Sequence, residues 1–340
     1  MPISARLLLC SAALVLVLPP VGAAFAEEPV GNIDAGGLVI EGADQVELRS
    51  EDLYLSASQV RVSYRFFNPA DHDLVVTIAF PMPDVTGEEG MAVNIPDPAS
   101  PNFLGLRTKV DGQPVEPSLE QQAVFASGGG VQTPITDLLG QLAVPLLPVG
   151  EATKAALRRL GADDRRRLTD PGYAGAEGGE VSARWTLRSR FHWQQAFPAG
   201  KEVVVEQSYT PSVGFTPGIF FGKGSLTGES LAQYQKKYCT NPGFLKAADL
   251  LTKRVAAGLQ GGTTAPPSQA RQLYFGYAIA RGQQIGRFRL VVDKAFPDNL
   301  VSFCGEGIKR IDGTRFELTR TRYTPDRNID VLILDNHAGR

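Results

Sequence analysis

Apolar and polar residues alternate with period two along most of this chain, which predicts half-buried strands. Val60, Val62, Tyr64 and Phe66 fall on one side of an extended run, and Arg61, Ser63 and Arg65 on the other. Asn68-Pro69-Ala70-Asp71 breaks it. Leu74, Val76, Ile78 and Phe80 begin a second run that stops at Pro81-Met82-Pro83, so the two runs predict an antiparallel hairpin. A Pro- and Gly-rich loop leads to about Pro101. Leu104, Leu106, Thr108 and Val110 then resume the alternation before Asp111-Gly112, a pair suited to the positive-φ positions of a tight turn.

Helical spacing interrupts the strands twice. Thr133-Pro134 predicts an N-cap and first helical residue, with the helix running to Leu139. A second helix is expected over 151–160, stopped by Gly161, with a charged continuation over 163–168. Residues 175–179 read as an exposed flexible loop. Val181, Ala183, Trp185, Leu187, Phe191 and Trp193 mark a long strand, and Phe197-Pro198-Ala199-Gly200 turns it back into 201–209. The Pro- and Gly-rich stretch 210–224 is the expected domain boundary. Beyond it, 229–238 carries Leu231, Tyr234 and Tyr238 at helical spacing. Residues 243–257 carry an apolar stripe of Phe244, Ala247, Leu251 and Val255, with Gly258 as the residue past the end. After a linker at 261–267, strands are expected at 273–280, 286–292, 300–304, 314–318 and 329–334.

The pattern therefore predicts a mainly β chain with two β-sandwich-like domains and short helical insertions. The N-terminal domain spans 27–215 with its insert at 134–168. The C-terminal domain spans 216–340 with its insert at 229–257.

The first 26 residues do not fit this pattern. Arg6 precedes an apolar run over 7–18, then Pro19-Pro20 and Ala24-Phe25-Ala26, the three parts of a secretory signal peptide. Cleavage after Ala26 is expected to leave Glu27 first and to place the protein in the periplasm or outside the cell. The run is shorter than the roughly 20 residues that cross a bilayer, and no later stretch approaches that length. No transmembrane segment is expected after cleavage. Cys10 follows Leu7-Leu8-Leu9 rather than the small residues of a lipidation site. Cys239 and Cys304 then remain, and an even pair in an oxidising compartment predicts a disulfide. It would pin the second helical insert to the C-terminal sheet.

Of 34 basic side chains only Arg6 leaves with the leader, so 33 face 36 acidic ones, a formal charge of −3. Such a balance gives no field for sequence-independent nucleic-acid binding. His72, in Asp71-His72-Asp73, reads as part of a polar turn, since one imidazole with two adjacent carboxylates lacks the separated ligands of a zinc site. His192 reads as a surface strand position, and His337 as a solvated tail residue. Gly222-Lys223-Gly224-Ser225 lacks the spacing and following helix of a phosphate loop. No catalytic residue, metal ligand or cofactor is assigned. Arg184, Arg188, Arg190 and His192 share one face of the long strand, a candidate strip for an acidic glycan or lipid head group. The competing reading is cross-strand pairing with Glu202 and Glu206. Trp185 and Trp193 are expected in the core.

Specific segments resemble a known family: Tyr64-Arg65-Phe66-Phe67-Asn68 leading to Ala79-Phe80-Pro81-Met82-Pro83; the run from Ile285 to Lys294; and Leu300-Val301-Ser302-Phe303-Cys304. They are similar to exported bacterial proteins grouped as domain of unknown function 4424, over nearly the whole mature chain. That resemblance implies no activity. Phe67-Asn68, Phe80 to Pro83, Val110-Asp111-Gly112, Gln122-Ala123 and Pro198 to Pro211 follow the order of the VIT domain of vault and inter-alpha-trypsin proteins. That resemblance implies a β-sandwich acting by interaction rather than catalysis. The expected function is thus an exported, non-enzymatic protein that binds a partner protein or an envelope component such as a glycan. Two alternatives are an envelope carbohydrate-active hydrolase, with carboxylates converging between the two domains, and a small-molecule or lipid binder using the helices at 229–257.

Overall fold

Strands form where the alternation predicts them in a computed structural model of the chain, which describes residues 35–41, 43–87, 93–127, 130–219, 221, 228–260, 270–280 and 282–337. The expected leader and cleavage site, the Lys223 loop and the expected 261–267 linker lie outside the described residues. In chain order come β1 (Val39–Ile40), β2 (Glu47–Ser56), β3 (Val60–Phe67), β4 (Leu74–Pro81), β5 (Val85–Thr86) and β6 (Val93–Asn94). Next are β7 (Arg107–Val110), β8 (Gln113–Val115), β9 (Ser118–Ala126) and β10 (Gln132–Pro134). Three helices follow, α1 (Thr136–Gln141), α2 (Glu151–Arg159) and α3 (Ala162–Thr169). Then come β11 (Ala174–Glu177), β12 (Glu180–Ala183), β13 (Thr186–Phe197), β14 (Glu202–Tyr209) and β15 (Val213–Pro217). Helices α4 (Gly228–Tyr238) and α5 (Pro242–Gln260) precede β16 (Arg271–Tyr277) and β17 (Ile285–Asp293). The last four strands are β18 (Leu300–Phe303), β19 (Lys309–Arg310), β20 (Arg315–Tyr323) and β21 (Ile329–Asp335).

The fold is mainly β, as expected. One sheet has eight strands in the order β19-β20-β17-β2-β3-β14-β7-β8. A second has six, β1-β4-β13-β9-β10 with β5 beside β13, and a third has five, β18-β21-β16-β15-β6. The eight-stranded sheet turns one face inward. Leu53, Val62, Phe66, Phe288 and Leu290 on that face share a single core with Ile78, Phe80 and Trp193 of the six-stranded sheet. Phe275, Tyr277 and Val331 of the five-stranded sheet join the same core. The large sheet is therefore one layer of a sandwich whose second layer comes from both smaller sheets.

The boundary expected at residue 216 falls inside β15, which is paired on both sides, to β6 and to β16. The eight-stranded sheet also draws on both sides of that position, because β17 runs parallel to β2. Pro and Gly at 210–224 thus border a strand that lies within a shared sheet.

Two expected hairpins are corners between layers. β3 pairs with β2 and β14 in the large sheet, whereas β4 pairs with β1 and β13 in the six-stranded sheet. β13 and β14 are likewise in opposite layers. Alternation identifies which face of a strand is buried but not its neighbour, so a break between two runs looks the same in both cases. Asn68 joins the two corners. Its Nδ2 donates to the carbonyls of Phe197 (2.8 Å) and His72 (2.9 Å), and its Oδ1 accepts from the Ala70 amide (2.9 Å). Its own amide donates to the Lys201 carbonyl, and its carbonyl accepts from the Gly200 amide. The side chain is fully buried.

Other boundaries shift. Thr133 and Pro134 end β10, and the helix starts at Thr136 after Ile135. The loop expected at 175–179 is the hairpin β11–β12, turned by Gly178-Gly179 at φ of 58° and 87°. Helix α5 passes through Gly258 to Gln260. Strand β2 had no counterpart in the pattern, because a bulge between Leu48 and Ser50 shifts its register and Glu51 faces inward.

The helices cover two further surfaces. α1, α2, α3 and the β11–β12 hairpin enclose Trp185 with Leu139, Leu157 and Leu168, and the Trp185 indole N–H donates to the Leu146 carbonyl at 2.8 Å. α4 and α5 pack Tyr238, Ala248 and Leu251 on Tyr274, Leu332 and Leu334, behind the five-stranded sheet. Cys239, just past α4, is joined to Cys304, just past β18, with Cα atoms 5.0 Å apart. Beside the bond, the Ser302 hydroxyl donates to the Tyr238 carbonyl at 2.9 Å.

Asn68→Ala is expected to lower unfolding free energy by about 2 kcal/mol, because the buried Phe197 carbonyl loses its partner, as do the part-buried His72 carbonyl and Ala70 amide. Urea denaturation measures it, and a loss under about 1 kcal/mol would show that the corners hold without the side chain. Replacing both Cys239 and Cys304 with Ala opens a closure of 65 residues and is expected to cost about 4 kcal/mol. Non-reducing mass mapping of the native protein should find the two residues linked; free thiols at both would refute the bond.

Candidate functional site

The arginine strip is only partly assembled. Arg188, Arg190 and His192 project from the outer face of β13, as their parity requires. Arg184 precedes that strand; its amide donates to the Tyr173 carbonyl at 3.0 Å, and its guanidinium lies against Gly175. Glu202 and Glu206 cannot reach the strip, since they sit on β14 in the opposite layer, and Glu202 pairs with Arg65. Different acids take their place. Arg190 Nε donates to Glu120 at 2.7 Å across the β13–β9 ladder. Arg188 donates to Asp84 at 3.3 Å and to Gln132 at 2.7 Å. Exposed pairs of this kind contribute little stability, but they satisfy the guanidinium groups within the protein.

His72 lies in an exposed turn beside Asp71, at 3.0 Å. His337 is only partly exposed, not a freely solvated tail residue. Its Nε2 lies 2.6 Å from Asp298, and its ring stacks on Phe296 with centroids 4.0 Å apart. The pattern gave no sign of this because the contact depends on a loop 39 residues earlier. Among the described residues, no group of three or more His, Cys, Asp or Glu side chains could hold a metal ion.

A different cluster forms on the outer face of the eight-stranded sheet. A groove of about 580 Å³ crosses β17, β2, β3, β14 and β7, flanked by Ile311 and Arg315. Register fixes its side chains in two rows. Val291 lies beside Tyr54, Tyr54 beside Arg61, Arg61 beside Ser208, and Ser208 beside Arg107. One pleat away, Arg289 lies beside Asp52, Asp52 beside Ser63, Ser63 beside Glu206, and Glu206 beside Lys109. Five cations line the groove against two carboxylates.

These cations differ in how they are engaged. Arg289 is forked between Glu317 (2.8 Å) and Asp52 (3.1 Å), and Arg315 is held by Asp312 at 2.6 Å. Arg61 lies over the Tyr54 ring, 4.5 Å from its centroid, and the Tyr54 hydroxyl donates to Asp293 at 3.0 Å. Among the described residues, no carboxylate lies within ion-pair distance of Arg61, Arg107 or Lys109 (their nearest pairs exceed 4.0 Å). Each is exposed. The sequence did place Arg61 on the polar side of β3. It could not place Arg107 two strands away from it, since that neighbourhood requires β14 between β3 and β7.

Opposite this face, β2 carries a buried acid. Glu51 accepts a hydrogen bond from the Tyr277 hydroxyl at 2.9 Å, and Tyr277 is in turn bonded to the Tyr64 hydroxyl. Tyr209 donates nearby to the Ala35 carbonyl at 3.0 Å. Burial pushes the Glu51 carboxyl up to about 7, although the Tyr277 hydrogen bond opposes the shift. Burial and the Glu51 charge together hold both Tyr64 and Tyr277 well above the usual phenol range. The cluster ties β2, β3 and β16 together through the core.

The family profile described as a domain of unknown function (DUF4424) matches residues 26–332. No curated protein matches the chain. Among solved structures, a crystal structure of a Legionella pneumophila protein, named as a candidate nutrient binding protein, is similar at 9% identity and a TM-score of 0.41. That likeness covers 88% of this chain and 70% of that one.

Glu51 titrates at about 7 in the fold and at 4.5 when freely solvated, so the folded protein holds the proton more tightly. Its contribution to stability is complete below pH 4.5 and is lost as pH rises towards 7, by about 3 kcal/mol. Glu51→Gln keeps an acceptor for Tyr277 and carries no charge. It should be the more stable form at about pH 8 and should lack the decline between about pH 5 and 7. Urea midpoints at those two ends of the range measure both. Equal pH dependence in the two proteins would contradict the assignment.

Proposed function

The chain belongs to the DUF4424 family, and we propose that it is an exported, non-enzymatic binding protein of the bacterial envelope that takes an anionic envelope component on the open face of its large sheet. The observation that carries this reading is the set of three exposed cations, Arg61 on β3 and Arg107 and Lys109 on β7, none of which has a carboxylate within ion-pair distance among the described residues. Cations left unpaired in a shared concavity raise the local concentration of anions and favour their binding. Strands hold such side chains more firmly than loops do.

Export fits the leader at 1–26 with its cut after Ala26. It also fits the position of Cys239 and Cys304, which are within bonding distance and would be oxidised in the periplasm. Among the described residues, no helix is long and apolar enough to cross a membrane. The hydrolase reading placed its carboxylates between two domains, but the segments expected to flank that cleft share the eight-stranded sheet. In the groove, Asp52 is taken up by Arg289. The lipid-binder reading needs space beneath α4 and α5, where Tyr238, Phe244 and Leu251 fill the contact with Tyr274 and Leu332.

A photo-cross-linking residue in place of Ser208 tests the reading in cells. A reproducible adduct is expected in the periplasmic fraction, reduced at least tenfold when Arg61 and Arg107 are both replaced by Glu. An absent adduct, or one that survives both replacements, would count against binding at this face.

A further inference from the structure

We infer that the groove recognises an acidic oligosaccharide lying across the strands, with its anionic groups on Arg61 and Arg107 and its hydroxyls on the row of Ser63 and Glu206. The inference rests on the binding reading above and names the ligand class for the same face.

Spacing is the first argument. Neighbouring strands are about 4.8 Å apart, so Arg61 on β3 and Arg107 on β7, with β14 between them, stand roughly 10 Å apart at their Cα atoms. Two arginines rooted at about that interval suit a ligand with repeated negative charges along a stiff backbone, such as an extended chain of uronic or otherwise acidic sugars. Ser208 lies between the two arginines and offers a hydroxyl to the intervening unit.

The charge of the neighbouring row narrows the class further. One pleat away, the groove presents the carboxylates of Asp52 and Glu206 with Ser63 between them. Asp52 is already engaged by Arg289, whereas Glu206 makes no ion pair within 4.0 Å among the described residues, and it lies beside Lys109 in the ladder. A bare polyanion would be repelled by an exposed carboxylate in the middle of its site. A ligand with hydroxyl donors would instead use it as an acceptor, and charge-assisted hydrogen bonds are the stronger kind. The two rows together ask for one molecule with anions along one edge and hydroxyls along the other. Inorganic polyphosphate satisfies the first row only, and a neutral glycan the second only.

Isothermal titration of the intact exported protein with oligogalacturonate, an alginate oligomer and a heparin-derived tetrasaccharide tests this, with maltohexaose and inorganic polyphosphate as controls. At least one acidic oligosaccharide should bind more tightly than maltohexaose, with affinity that falls as salt is raised. Arg61→Gln and Arg107→Gln should each weaken it about tenfold. Glu206→Gln separates the ligand classes: it should weaken the oligosaccharide and strengthen polyphosphate. Binding by none of the three acidic oligosaccharides would overturn the inference, as would a Glu206→Gln protein that binds both classes more tightly. A protein adduct in the cross-linking experiment would also overturn it while leaving the binding reading intact.

Discussion

The parallel pairing of β2 with β17 is the constraint on which the rest of the fold depends. It brings residues 48–56 beside 285–293 and makes one eight-stranded sheet from strands at both ends of the described chain. A parallel pair cannot be closed by a short turn. Here the crossover runs from β3 to β16, and it supplies all of the six-stranded sheet but β1, three strands of the five-stranded sheet and α1 to α5. The loop-closure entropy of such a pairing opposes it, and the apolar surface that the other layer covers is what offsets that cost. Asn68 contributes to that layer by fixing two corners at once. One side chain bonds the end of β3 to the end of β13, so the separation of the layers is set at the same edge by both chain crossings.

The inward faces of β3 and β4 were readable because alternation records burial. Val62, Tyr64 and Phe66 of β3 and Val76, Ile78 and Phe80 of β4 are all buried where parity put them. Pairing was not readable from the same pattern. The break at Asn68-Pro69 is consistent with either a hairpin or a corner, and the side chain that decides between them acts through a carbonyl 129 residues away. β2 was missed for a related reason. Its bulge and its inward acid disturb the period in the strand that joins the two halves. The disulfide was legible, since the expected leader and the cysteine count together constrain it. The groove was not, although Arg61 stands on a polar position of its strand. Its two rows follow from strand order alone, and strand order depends on the β2–β17 pairing.

The two faces of β2 show how one strand serves opposite requirements. Glu51 points inward, where its charge is unfavourable and where its hydrogen bond from Tyr277, itself bonded to Tyr64, joins three strands. Asp52, the next residue, points outward and locks Arg289 between two carboxylates. Buried polar groups of the first kind do not by themselves maximise stability; near neutral pH the Glu51 carboxyl works against it. Their effect is on specificity. An inward acid in β2 can be accommodated only opposite the Tyr277 and Tyr64 hydroxyls, which penalises any register that slips by one residue and exposes the apolar face.

The same register argument decides how the outer face should be read. On β13 both outward arginines have an acid in reach, Glu120 or Asp84, and the guanidinium groups are satisfied within the protein. On the large sheet, Arg289 and Arg315 are satisfied in the same way, whereas Arg61, Arg107 and Lys109 have no such acid among the described residues. A solvated cation costs little on a surface, so a single unpaired arginine needs no explanation. Three on one concave face, arranged by pairing that also sets Glu206 between Lys109 and Ser63, form a pattern with both signs of charge and a hydroxyl at fixed intervals. A surface selected only for solubility has no need of fixed intervals. A surface selected to bind does, and only strands locked at both corners and through the core can hold them.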